Sequence, residues 1–228
     1  VPQLEKARKN GAKITSEMEM FFEVCPSHII AVTGSDGKTT TTTIIHKFMT
    51  QSGYKTWLGG NIGNPLLAET DGMTENDWVI LELSSFQLHT MQKSPERAVI
   101  TNLSPNHLDW HKDYSEYIEA KTNIFTHMSQ DDILVLNADN ADCAALLPLA
   151  HSNVKMFSRT KKASVWLDGD VIMRSGEKVL NINDIKLPGM HNVENYMAAI
   201  AVTEGLVSSD TIRAVADSVV GVEHRIEL

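Results

Sequence analysis

An α/β architecture with a mainly parallel sheet, helices on both faces and a small antiparallel β appendage is predicted by three observations. From about residue 28 onward, short apolar runs alternate with helical patterns, the rhythm of strand–helix–strand units. The apolar runs are nearly continuous, as expected of strands covered on both faces. After Asn153 the pattern changes to short strands separated by the turn signals Asp168-Gly169 and Ser175-Gly176, which suits hairpins.

The elements follow in order. HIIAVT (His28 to Thr33) reads as a buried strand, KTTTTTIIHKFMTQSG as a helix ending at Gly53, and KTWLGG as the next strand, together a βαβ unit. WVILEL (Trp78 to Leu83), AVITNL (Ala98 to Leu103) and DILVLN (Asp132 to Asn137) are further buried strands, with helices expected near Ser84 to Gln92 and Tyr114 to Met128. VKMFS, SVWLD, VIMR and KVLNI form the expected antiparallel appendage, and helices from Asn192 to about Gly205 and Asp210 to about Val219 complete the pattern. Residues 1–27 hold one amphipathic stretch without a core of its own and read as the tail of a preceding domain. Residues 28–220 form the main domain, and residues 221–228 read as a hinge toward a following one. The chain, beginning at Val1, is expected to be a piece of a longer protein.

At 228 residues and 42% hydrophobic composition, one good-sized core is expected. A formal net charge of -9 disfavours a nucleic-acid surface, which would concentrate Lys and Arg on one face. No apolar run reaches the roughly 18 residues of a membrane span. Cys25 and Cys143 lack metal-ligand spacing and are expected to be reduced thiols of a cytosolic protein.

The strongest chemical signal is the join between HIIAVT and its helix, GSDGKTT. Gly34 and Gly37 permit a turn whose N–H groups point inward, around Ser35 and Asp36, and the following helix end adds partial positive charge. Lys38 can reach the β- and γ-phosphates of a nucleotide, while Thr39, followed by Thr40, can ligate the accompanying magnesium ion. The general G-x-x-x-x-G-K-S/T pattern is not met, because Val32 stands where its first glycine would be, and a shorter T-G-x-x-G-K-T-T form is present instead. The five threonines Thr39 to Thr43 are poor helix formers, tolerated in a first turn where hydroxyls can find open N–H partners.

TGSDGKTT (Thr33 to Thr40) resembles the phosphate loop of the Mur ligases, which join an amino acid to a carboxylate with ATP. GGNIG (Gly59 to Gly63), LELSSFQL (Leu81 to Leu88), TNLSPNHLDWH (Thr101 to His111) and PGMHNVEN (Pro188 to Asn195) match the family's later blocks in order and distance. SEMEMF (Ser16 to Phe21) and GVEHRIE (Gly221 to Glu227) resemble segments of its D-glutamate-adding branch. The resemblance implies ATP and two magnesium ions as cofactors, with UDP-N-acetylmuramoyl-L-alanine and D-glutamate as substrates in peptidoglycan synthesis. It further implies a cytoplasmic protein, expected to be monomeric. Other Mur ligases, folylpolyglutamate synthase and a P-loop switch ATPase remain alternatives.

Glu82 ends a predicted parallel strand, where open α/β sheets place their ligands, and can hold the first magnesium with Thr39. Ser84 is expected to bond substrate or a metal-bound water, and His107, also beyond a strand end, to ligate magnesium. Composition alone makes Lys121 a solvated helix lysine. The resemblance instead makes it a carbamylated lysine (N6-carboxylysine) that joins His107 at the second magnesium. Asn192 and Asn195, three apart on one helix face, suit the donor–acceptor edge of adenine, with a capping role open to Asn192. Asn61 is expected to contact substrate or nucleotide phosphate, and Arg225 to reach ATP from the hinge. His111, His127 and His151 are expected to be structural or solvated.

Overall fold

The structure, a computed structural model, describes residues 6–7, 9–12, 14–106 and 110–221. Helix α1 (Glu17–Val24) starts from a capping box. The Ser16 side chain accepts from the Glu19 N–H, and the Glu19 side chain accepts from the Ser16 N–H, so two otherwise orphaned donors are satisfied. It buries Phe21 and Phe22 in the core beneath the sheet, a gain of roughly 1.5–3 kcal/mol per side chain that ties this segment to the main body.

Strand β1 (His28–Thr33) leads through the glycine-rich loop into α2 (Lys38–Gln51), then β2 (Thr56–Gly60) and β3 (Trp78–Glu82). The short α3 (Ser85–Leu88) precedes β4 (Arg97–Ile100), α4 (Tyr114–Thr122), β5 (Ile133–Asn137) and α5 (Ala141–Ala145). Strands β6 (Asn153–Ser158), β7 (Val165–Asp168), β8 (Val171–Arg174) and β9 (Glu177–Asn181) follow, then α6 (Met190–Val202) and α7 (Ser209–Ser218). The strands form a single sheet in the order β2-β3-β1-β4-β5-β6-β7-β8-β9.

Strand β1 is flanked by parallel β3, in register from His28–Trp78 to Val32–Glu82, and by parallel β4, from Ile30–Arg97 to Thr33–Ile100. The chain therefore reverses direction across the sheet at β1, and the crevice at its carboxyl end lies at a topological switch point. Side chains alternate between two cores. Ile30, Val32, Ile80 and Val99 pack beneath α2, α6 and α7, whereas Ile29, Ala31, Val79 and Leu81 pack against α1, α3 and α4. Helix α6 is buried along most of its length, from Asn195 to Val202, which explains its nearly unbroken apolar sequence.

Three expectations need correction in detail. VKMFS does not belong to an antiparallel appendage, since β6 pairs parallel with β5, and β7 continues parallel on β6. Only β7, β8 and β9 pair antiparallel, as an extension of the main sheet. The helix expected to reach Gln92 stops at Leu88, where the Asn123 carboxamide donates to the Leu88 carbonyl at 2.9 Å and caps the end. The helix expected to reach Met128 ends at Thr122, whose hydroxyl bonds the Glu119 carbonyl, a local competitor of helical continuation. Ile124, Phe125 and Met128 remain buried in the turns beyond.

Candidate functional site

At the carboxyl end of β1, Gly37 caps α2 in the left-handed region (φ 78°), and no side chain caps the helix. The first turn therefore presents backbone donors and the positive end of the helix dipole to whatever occupies the loop mouth. The two glycines are required by contact as well as by conformation. A Cβ at Gly37 would come 2.4 Å from Asn195 Oδ1, and one at Gly34 would come 2.0 Å from Thr101 Oγ1. Lys38 curls over its own loop, donating from Nζ to the Ser35 carbonyl at 2.9 Å.

The threonine run serves differently from expectation. Three of its hydroxyls donate to oxygen acceptors in place of capping open N–H groups. Thr39 donates to Glu82 Oε2 (2.7 Å), Thr41 to Asn195 Oδ1 (3.2 Å) and Thr42 to the Lys38 carbonyl (2.8 Å).

Glu82, 2% exposed, is held from both sides, because Asn61 Nδ2 donates to Oε1 at 2.8 Å while Thr39 occupies Oε2. Asn61 also donates its backbone N–H to the Glu82 carbonyl at 2.7 Å. Thr39 and Glu82 thus offer a hydroxyl and a carboxylate within one hydrogen-bond length, a hard-oxygen pair that fits one magnesium ion. Among the described residues, no cluster of three His, Cys, Asp or Glu could hold a metal. His107 and Arg225 lie outside the described residues.

Lys121 is not solvated. It is 2% exposed, donates to Thr33 Oγ1 (3.2 Å) and the Gly34 carbonyl (2.9 Å), and lies over the Tyr117 ring at 4.7 Å. Burial, reinforced by the charge of Lys38 and opposed by Glu82, lowers its pKa to about 7. Between that value and the ordinary lysine pKa of about 10.4, the unfolded chain binds a proton the folded chain does not, so stability rises with pH across this window. Relative to Lys121→Met, the parent chain should gain roughly 1.4 kcal/mol per pH unit above pH 7 in denaturant titrations. Parallel stability profiles for the two proteins would show that the ammonium is not desolvated as described.

Other predicted residues take definite places. Asn192 Nδ2 donates to the Pro188 carbonyl (2.7 Å), and Asn195 Nδ2 donates to Asn192 Oδ1 (3.1 Å), so the two amides interlock at the start of α6 against the phosphate-loop helix. Ser84 closes a capping box with Gln87 at the start of α3. Thr40 is buried in the first turn of α2. The N–H groups of Ser35 and Asp36 are directed to Asn102, at 2.9 Å each. His111 is buried as expected of a structural residue, with Nε2 2.9 Å from Ser85 Oγ.

Sequence reasoning missed Thr33, Thr101, Asn102 and Tyr117, which frame the loop. Thr101 Oγ1 donates to the Asp36 carbonyl at 2.6 Å, and the Tyr117 hydroxyl lies 2.9 Å from Ser35 Oγ. The signal was present in the Thr101-Asn102 pair that opens the TNLSPNHLDWH block, where two polar residues end an otherwise apolar strand.

A groove of about 600 Å³ opens beside Thr39, lined by Thr43, His46, Lys47 and Thr50 along one side of α2 and by Leu58, Ile62, Gly63, Ser218 and Gly221. Asn192 and Asn195 are not among its lining residues.

The fold and the loop define an α/β domain of the phosphate-loop class. The chain belongs to the Mur ligase family, whose middle domain matches residues 32–203. It is 51% identical, over its whole length, to the UDP-N-acetylmuramoylalanine–D-glutamate ligases of Acetivibrio thermocellus and Ruminiclostridium cellulolyticum, and covers 50% of each. The chain thus spans about half the length of the curated relatives it matches. The solved MurF of Acinetobacter baumannii superposes with a TM-score of 0.72 at 20% identity, over 91% of this chain and 49% of that one. A UDP-N-acetylmuramoyl-L-alanyl-D-glutamate–2,6-diaminopimelate ligase does so with a TM-score of 0.71 at 23% identity, over 90% and 49%. At those identities the two structures establish the shared fold.

Proposed function

We propose that this chain is the ATP-binding portion of a ligase that adds D-glutamate to UDP-N-acetylmuramoyl-L-alanine in peptidoglycan precursor synthesis. The observation that carries the phosphoryl-transfer part is the Thr39–Glu82 pair at the mouth of a lysine-bearing phosphate loop. The choice of amino acid rests on the 51% identity to ligases of that name. In this reading residues 28–220 form the central domain, with residues 1–27 and 221–228 leading to its neighbours. The enzyme is cytoplasmic and monomeric. Among the described residues, no helix is long and apolar enough to cross a membrane.

The chemistry has two steps. A substrate carboxylate oxygen attacks the γ-phosphorus, ADP leaves, and an acyl phosphate forms. The amine nitrogen of D-glutamate then attacks the acyl carbon, loses a proton, and expels inorganic phosphate. Both steps concentrate negative charge, so the site's main task is electrostatic. Lys38 swings from the Ser35 carbonyl to the β- and γ-phosphate oxygens, and the uncapped first turn of α2 donates to them. Thr39 and Glu82 hold the first magnesium, which supplies charge neutralisation when bound. Asn61 keeps the Glu82 carboxylate aimed, and Ser84 lies close enough in sequence to meet the acceptor substrate.

The nucleoside lies in the groove that begins at Thr39, and Arg225 is proposed as a further contact to ATP. Asn192 and Asn195 brace α6 against the loop, and reading the adenine edge would require exchanging their mutual bond. At neutral pH a lysine with a pKa of about 7 is substantially an uncharged amine. Such an amine can add to carbon dioxide, forming an N–C bond and releasing a proton. The carbamate would present oxygens where the ammonium presented donors, as a second magnesium site shared with His107 requires.

The test is phosphate release by the full-length parent with UDP-N-acetylmuramoyl-L-alanine and each of D-glutamate, L-lysine and meso-diaminopimelate. Release is expected with D-glutamate alone. Turnover with another amino acid in its place would reassign the chain to a different branch, and ATP hydrolysis without any acceptor would favour a switch ATPase.

A further inference from the structure

The phosphate loop is fastened along one side. Ser35 and Asp36 lie against the exit of β4 and exchange hydrogen bonds with it almost as a further pair of strand residues would. The Ser35 N–H donates to the Asn102 carbonyl at 2.9 Å, and the Asp36 N–H donates to Asn102 Oδ1 at 2.9 Å. Asn102 Nδ2 returns a bond to the Asp36 carbonyl at 3.2 Å, where the Thr101 hydroxyl also donates at 2.6 Å. Ser35 Oγ donates to the Ser104 carbonyl at 3.0 Å and accepts from the Ser104 N–H at 2.9 Å.

We infer that Asn102 is a positioning residue of the phosphate loop: by engaging the Asp36 backbone at both its N–H and its carbonyl, it sets which backbone donors face the nucleotide. The inference rests on the nucleotide-binding reading above. A carboxamide is suited to this task, because it offers one acceptor and two donors on a rigid plane. A backbone N–H already bonded at 2.9 Å has little to gain from turning toward a phosphate, since the exchange would leave the Asn102 oxygen without its donor. The donors left to the anion begin at Gly37, where the chain enters the left-handed region and the uncapped turn of α2 starts. The shortened T-G-x-x-G-K-T-T motif thereby gains a physical reading. Its two intervening residues are anchors to β4, and the anion cradle is the short segment from Gly37 through Thr40.

The test uses this chain, with inorganic tripolyphosphate as the probe and backbone amide NMR as the readout. In the unchanged chain, tripolyphosphate should move the amide protons of Gly37, Lys38, Thr39 and Thr40 strongly downfield and leave those of Ser35 and Asp36 nearly in place. In Asn102→Leu, which keeps the branched four-heavy-atom shape and removes the bonds, affinity for tripolyphosphate should fall about tenfold. The Asp36 amide should then join the group that moves, a change of pattern that mere loss of stability would not produce. An Asp36 amide that shifts as far as that of Gly37 in the unchanged chain would overturn the proposal, even if the leucine variant failed to fold. Unaltered affinity in a folded Asn102→Leu would do the same. Failure of the unchanged chain to bind either tripolyphosphate or ATP would instead bring down the nucleotide reading and this inference with it.

Discussion

Replacing Lys38 by Ala should lower turnover of the full-length ligase by about 10²–10³, the effect of removing one preorganised donor from a charge-developing site. In the proposed reading the side chain meets the transferred phosphate, and its Nζ contact with the Ser35 carbonyl shows that it can fold over the loop. In this 228-residue chain the same substitution should weaken tripolyphosphate binding by about 10–100-fold, the range of a charge-assisted hydrogen bond. The fold should survive, because the core on either side of β1 is built from Ile29, Ile30, Ala31 and Val32. An unchanged circular dichroism spectrum with lost phosphate release is the expected pair of results. Near-normal release by the variant would remove Lys38 from the chemistry.

The second large effect concerns Lys121. Removing its side chain should reduce activity of the full-length enzyme by at least about 10², and added acetate should restore part of it. The reason is spatial. Lys121 is 2% exposed and fills a buried position against Thr33, the Gly34 carbonyl and the Tyr117 ring, so truncation to Ala leaves a cavity that a small carboxylate can enter. The incoming oxygens would supply what a carbamate supplies, and activity should rise with acetate concentration to a plateau. A lysine with only a packing role predicts a different pattern. Lys121→Met would then retain most activity, and acetate would do nothing for Lys121→Ala.

Much of the fold was legible because its signals are local. The run HIIAVT, the glycines beside Lys38 and the long helical pattern beginning at Lys38 each announce themselves within a dozen residues. Parallel pairing of β6 was not legible, since VKMFS is short and is followed by hairpin turns, and nothing in its own residues distinguishes a strand that joins β5 from one that begins a meander. The helix ends at Leu88 and Thr122 were missed for a related reason, as one of them depends on the Asn123 carboxamide reaching 35 residues back along the chain. In the site, Lys38, Thr39 and Glu82 could be chosen by chemistry and strand position, and Thr39 and Glu82 come together as that choice anticipates. The burial of Lys121 had no compositional trace, because a lysine on a polar helix face reads as solvated until the helix is docked. Asn102 escaped because its role is carried by bonds to the backbone of Asp36, which a side-chain motif cannot display.

The placement of β1 between β3 and β4 also bears on how the chain comes to be folded. Its partners begin at Trp78 and Arg97, so the first strand of the sheet has no neighbour until β3, which ends at Glu82, has been made, and lacks its second until β4 has been made. At a synthesis rate of roughly 5–20 residues per second, that interval lasts several seconds. Contacts of such sequence separation also raise the loop-closure cost of the folding barrier. Throughout it Ile29, Ile30, Ala31 and Val32 form an apolar segment whose backbone donors and acceptors are unpaired, the kind of segment that invites association with other chains. The phosphate loop cannot take shape earlier, because its anchor, Asn102, follows β4. The loop's full set of anchoring bonds is therefore acquired late and together with the sheet, and a nascent chain that stops short of Asn102 contains the whole loop motif without that anchor.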